Sequence, residues 1–151
     1  MKFRFPDIHI TSERDGIRMQ ADVDFDRFER SFSKSQFQLD SMVMTDMVPY
    51  MPMITGTFIN LTKARSAAIA GTGYVYAAAP PYGRFLYYGK VMVSPTTGSA
   101  FARAGERKVV TSRDLEYTKT FHPLVHAEWF EEAKRRNKAK WIKLAKRKAG
   151  G

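Results

Sequence analysis

The residues of this chain best able to do chemistry are two histidines, His122 and His126, and three aspartates, Asp22, Asp24 and Asp26. Histidines four apart can share one helix turn and hold zinc, but Pro123 follows His122 directly, the glutamate of the zinc-protease pattern is missing, and no third ligand is evident. His122 is expected at the start of a helix and His126 on its packing face. Paired catalytic carboxylates need surroundings that drive their pKa values apart. Aspartates at a helix start have a simpler use, in capping and in offsetting the positive end of the helix dipole. Gly71-Thr72-Gly73 is too short for a dinucleotide fingerprint and lacks the lysine of a phosphate loop. No serine or threonine stands in a nucleophile elbow. These residues predict no enzyme, no metal and no cofactor.

The charge is concentrated at one end. Nine of the 25 basic residues lie between Lys134 and Lys148, a stretch without an acid, which leaves 16 basic against 15 acidic residues elsewhere. Such a run can neutralise phosphates without reading sequence, dock on an acidic partner or membrane surface, or serve as a solvated helix face whose cations suit the negative end of the dipole. Trp141, Ile142 and Leu144 within the run predict that part of this helix is packed. With no cysteine there is neither a disulfide nor thiolate chemistry, and no apolar run approaches the length of a membrane span. Met1 to Pro6 alternates basic and aromatic residues and does not read as a secretory leader. A soluble cytoplasmic protein is the expectation.

The elements that must position these residues read as a single α+β domain over residues 1–151, with two long helices packed on a small antiparallel sheet and an N-terminal hairpin. Ile8 to Thr11 and Ile17 to Val23 alternate around an Asp15-Gly16 turn, which predicts the hairpin. Asp24 is the expected N-cap of a helix over 24–48, in which Phe25, Phe28, Phe32, Leu39, Val43 and Met47 recur at helical spacing, interrupted by Gln36. Pro49 should stop it at the preceding residue. The methionines from Met42 to Met53 read as helix core and loop filling, or else as an adaptable binding surface. Thr57 to Thr62 predicts one or two helical turns, with Thr57 as cap. Residues 66–70 and 74–78 flank the Gly-Thr-Gly turn as a second hairpin. From 91 to 120 no period lasts, so this segment is expected to be loosely held until neighbours order it, with 108–111 and 115–118 as a weak strand pair. Pro123 suits the first turn of a second long helix over 123–148, whose packing face carries Phe130, Ala133, Asn137, Trp141 and Leu144. The basic helix and its approach occupy 122–151.

An ordered string of motifs goes further. Pro49 to Gly56, with its Pro-x-x-Thr-Gly ending from Pro52 to Gly56, resembles a loop of the minor capsid proteins found in phage head–tail gene clusters. Pro81-Tyr82-Gly83-Arg84-Phe85-Leu86-Tyr87-Tyr88-Gly89-Lys90 is similar to the segment that follows in that family, and Lys108 to Thr111, Leu115 to Tyr117, His122-Pro123 and Trp129 to Lys134 match in order. The likeness spans roughly residues 45–145. Gly83 and Phe85 stand where the family leads one to expect Ala and Tyr, two mild changes. The resemblance implies a non-enzymatic structural subunit, without cofactor, in the virion neck. It would assemble with itself as a ring, between the portal–adaptor complex and the tail-terminator or tail-tube proteins, after assembly in the host cytoplasm. The expected partner-binding residues are Pro52, Thr55, Gly56, Pro81, Tyr82, Tyr87, Tyr88 and Gly89, with Lys134, Arg135, Lys138 and Lys146 facing an acidic neighbour or DNA in the lumen. The alternative is a basic nucleic-acid-binding module.

Overall fold

A computed structural model of the chain describes residues 6, 8–14, 17–23, 25–81 and 83–149. Strands β1 (Ile8–Arg14) and β2 (Ile17–Val23) pair antiparallel, with Ile10 opposite Ala21 and Ser12 opposite Met19. This is the predicted hairpin; its Asp15-Gly16 turn lies outside the described residues. Helix α1 (Asp26–Met47) follows, with Phe25 at the N-cap position and Asp26 and Glu29 in the first turn, where carboxylates favour the positive dipole end. The expected cap, Asp24, is outside the described residues.

Pro49 ends α1 by chemistry. It has no N–H to donate, so the α-helical ladder stops at Met47 and the chain tightens into a 3-10 turn over Val48–Tyr50. Val48 N–H donates to Thr45 O, and Met51 N–H to Val48 O at 3.1 Å. The buried face of α1 is Ser35, Asp40, Val43, Met44 and Met47, whereas Phe28 is half exposed. The expected apolar stripe is therefore buried only at its C-terminal members, Val43 and Met47, where the core forms, and not at its phenylalanines. Met47 and Met51 are fully buried and Met44 nearly so, which makes most of the methionine run core.

Helix α2 (Thr57–Ala68) takes the place of the first strand of the expected second hairpin, and no strand forms over 74–78. The backbone of 76–79 runs along α2 and bonds to its hydroxyls instead. Tyr76 N–H donates to Ser66 Oγ at 3.1 Å, Ser66 Oγ–H donates to Tyr76 O at 3.2 Å, and Ala79 N–H donates to Thr62 Oγ1 at 3.2 Å. The Gly-Thr-Gly turn is real, and the 4 %-exposed Asp40 holds it, accepting from Gly71 N–H at 2.7 Å and Gly73 N–H at 3.1 Å.

Helix α3 (Gly83–Tyr88) leads into β3 (Lys90–Val93), which pairs antiparallel with β4 (Val109–Asp114). The expected pairing of 108–111 with 115–118 is thus replaced by a longer-range one. The last helix, α4 (Trp129–Ala149), begins six residues after Pro123. The intervening residues wrap the core instead: His122 Nδ1 lies 2.8 Å from Met51 O, His126 N–H donates to Tyr50 O at 3.1 Å, and Glu128 has φ +51°. The glycines expected to end this helix, Gly150 and Gly151, are outside the described residues. Helices α1 and α4 pack most extensively, running antiparallel around a core of Val43, Met47, Tyr50, Met51, Ile59, Trp129, Ala133 and Trp141.

Candidate functional site

Two segments far apart in sequence border one open groove. Pro52, Ile54, Thr55, Gly56, Thr57, Phe58 and Leu61 form one wall, and Pro80, Pro81 and Leu86 the other, around about 320 Å³. The first wall turns sharply because Gly56 adopts φ +79° before α2, whose first hydrogen bond is Asn60 N–H to Gly56 O at 2.9 Å. Thr55 and Thr57 bond to each other through their hydroxyls at 3.0 Å. The second wall is set by close backbone contact. Gly83 is buried, and a Cβ there would lie 2.6 Å from the Ala78 carbonyl carbon. Alanine, the residue that the resemblance leads one to expect, does not fit, so this departure is not mild.

Behind the groove stands Trp129, fully buried, its Nε1–H donating to Ala77 O at 2.7 Å. Its ring meets Phe58 and Tyr87 edge-on, with centroids 5.8 and 4.9 Å away. The Tyr87 phenol is pushed up to about 12, first by burial and then by the nearby carboxylates of Glu131 and Glu128. Burial also raises Tyr117, which donates to Leu86 O.

Of the residues expected at a contact, Pro52, Thr55, Gly56 and Pro81 line the groove. Tyr87 belongs to the packing behind it, Tyr88 is 55 % exposed beside it, and Gly89 is buried against Ala127 and Tyr117. Tyr82 lies outside the described residues. Sequence reasoning missed Ile54, 74 % exposed, and Leu61, 40 % exposed. Ile54 stands in the irregular connection over 49–56, beside residues that are buried, where no periodicity tells an exposed apolar side chain from a core one.

Of the expected packing face of the basic helix, Ala133, Trp141 and Leu144 are buried and Phe130 and Asn137 half-buried, while Lys134, Arg135, Lys138 and Lys146 are exposed. Part of its charge is spent within the fold. Lys134 pairs with Glu131 at 3.2 Å, Arg135 and Arg136 share Glu132, and Lys140 reaches Asp46 on α1 at 2.8 Å. The hydrogen bond from Arg136 holds the Glu132 carboxyl below the usual range. Lys138, Lys143, Lys146, Arg147 and Lys148 have no ion pair among the described residues. A second groove, of about 430 Å³, runs between α1 and α4, with Leu39, Val43, Val75 and Trp141 on its floor and Lys134 and Lys138 at its rim.

Among the described residues no three His, Asp or Glu side chains converge as metal ligands, and no helix is long and apolar enough to cross a membrane. No family model, curated protein or solved structure matches the chain. Chemically, the first groove offers apolar walls and two hydroxyls already bonded to each other, a surface suited to receiving apolar side chains.

Proposed function

We propose that this chain is a ring-forming neck subunit of a tailed bacteriophage, a non-enzymatic connector between the portal–adaptor complex and the tail. The observation that carries the reading is that the two most distinctive motifs of the resemblance, Pro52 to Gly56 and the segment beginning at Pro81, border the same open apolar groove. Exposed apolar surface of this kind marks protein contacts. In such a particle the subunit resides in the virion neck, meets copies of itself sideways, and meets portal or adaptor proteins and tail-terminator or tail-tube proteins above and below. The test is a nonsense mutation in the gene of the phage that encodes it. Filled heads without joined tails, restored by the protein supplied in trans, are expected; particles of normal infectivity that lack the protein would overturn the reading.

A second reading, a nucleic-acid-binding module, is favoured by the five cations from Lys138 to Lys148 on α4 that have no ion pair among the described residues. Neutralising about five phosphates gives a log–log salt slope near −4.5 on random duplex DNA. A slope of that size that falls on mutating these residues, in a protein absent from particles, would favour it.

A further inference from the structure

The β1–β2 hairpin has one largely apolar face, and among the described residues nothing extensive packs on it. The register puts Ile8, Ile10, Ile17, Met19 and Ala21 on that face, with Ser12 as its polar member among them, and His9, Thr11, Glu13, Arg18 and Gln20 on the other. Ile8 is 43 %, Ile10 54 %, Ile17 68 % and Met19 67 % exposed, and the strands make no substantial contact with any helix. A two-stranded ribbon alone is marginal in water, so this face calls for a cover.

We propose that the hairpin of one copy docks, apolar face down, in the groove between Pro52–Leu61 and Pro80–Leu86 of a second copy. Geometry excludes the molecule's own groove. The hairpin is rooted at the N-terminal end of α1, whereas the groove lies just beyond its C-terminal end. Twenty-two helical residues separate them by about 33 Å, and a seven-residue strand reaches only about 23 Å. The chain therefore carries an apolar projection at one end and an apolar receptacle at the other. The two surfaces differ, so the contact is heterologous and repeats from copy to copy until rotation closes it. The second groove is a poorer receptacle, because Lys134 and Lys138 stand at its rim.

The size of the contact fits a ring rather than a dimer. One face of a ribbon about 23 Å by 10 Å covers roughly 230 Å², well short of the roughly 800 Å² per partner of a stable pair. A single arm in a single groove is weak; a closed ring, in which each copy gives one arm and receives one, gains from multivalency. The inference deepens the ring reading and rests on it for the number of copies, but the contact is testable on purified protein.

The chain has no cysteine, so cross-linking has no background. Ile10→Cys and Ile54→Cys, both at exposed positions, are purified and mixed under mild oxidation. A disulfide dimer is expected from the mixture and a ladder of oligomers from the double variant, with yield falling roughly tenfold or more when Leu61→Asp is added. Melting curves of each variant confirm that the fold is kept. Dimers of Ile10→Cys alone matching the mixture, Ile10→Cys coupling to Ile142→Cys in the second groove in place of Ile54→Cys, or yields no higher than for a Thr97→Cys control on a distant exposed loop would each overturn the proposal. Cross-linking by a protein absent from particles would sink the neck reading and leave the contact standing; a particle protein that gives no ladder would do the reverse.

Discussion

At the scale of single residues, the fold depends on a few atoms whose surroundings admit no substitute. Asp40 is buried and accepts from Gly71 N–H, Gly73 N–H and the Gln36 amide at 2.7 Å, so it fastens the turn after α2 to α1. Asp40→Ala removes the carboxylate that ties these groups together and should cost about 1–3 kcal/mol, a fall in melting temperature of roughly 2–12 °C for a chain of this size. Gly83→Ala should cost about 1–3 kcal/mol, since its Cβ meets Ala78 backbone rather than a movable side-chain end. At Gly56 the obstacle is conformation: a Cβ there meets nothing nearer than 3.6 Å, but φ is +79°. Gly56→Val should therefore be more destabilised than Gly56→Asn, because asparagine tolerates the left-handed region. Thermal melts of the pair decide it. Glu106 gives the pH dependence. Arg103 N–H at 2.9 Å, with the Thr96 and Ser94 hydroxyls at 2.7 Å, holds its carboxyl at about 2. The folded value is depressed, so its stabilisation is present above the ordinary value of 4.5 and is lost as pH falls toward 2. Carboxyl NMR should show Glu106 titrating at about 2, well below its ordinary 4.5, and Ser94→Ala should move it upward.

At the scale of elements, α4 separates packing from charge. Trp141 is 8 % exposed, stacks near Phe130 and donates to Asp46 at 2.7 Å, so Trp141→Ala should cost about 3–5 kcal/mol. Reversing Lys134, Arg135, Lys138 and Lys146 to Glu together removes exposed pairs that contribute about 0–1 kcal/mol each. That variant should melt close to the parent yet enter particles poorly, because a clustered field governs encounter more than stability. Incorporation at the parent rate in low salt would make this face merely solvated. The second hairpin shows how a helix passes for a strand. Ser66 to Ala70 is small and without periodic apolar residues, and the extended chain beside it bonds to Ser66 and Thr62 hydroxyls where a strand would have met another backbone.

At the scale of the whole molecule, the segment from 91 to 120 is anchored at both ends and open between them. Strands β3 and β4 close it, Glu106 ties its base, and Phe101 at its outer part is 86 % exposed. If neighbours in a ring cover it, limited proteolysis should cut the free subunit between Pro95 and Arg107 and spare the same stretch after assembly. Equal protection in both states would make it simply a folded part of the domain.

The sequence by itself determined the features that arise locally. Alternation around Asp15-Gly16 defined the first hairpin, Pro49 defined the end of α1, and helical spacing defined the packed face of α4, because each follows from backbone chemistry or periodicity within a few residues. The mixed α and β class with two long helices followed from these. Tertiary structure alone decided the rest, wherever a residue's partner lies far along the chain. The buried face of α1 includes Asp40 because the glycine turn supplies its donors; β4 pairs with β3 across a long connection; α4 starts at Trp129 because the residues before it bond to Tyr50 and Met51. Four of the ten residues lining the candidate groove were legible, Pro52, Thr55, Gly56 and Pro81, because they stand in the motifs that carry the resemblance. Ile54, Leu61 and Leu86 were not, because an apolar side chain's exposure depends on which surfaces the fold leaves uncovered, and no local pattern records that.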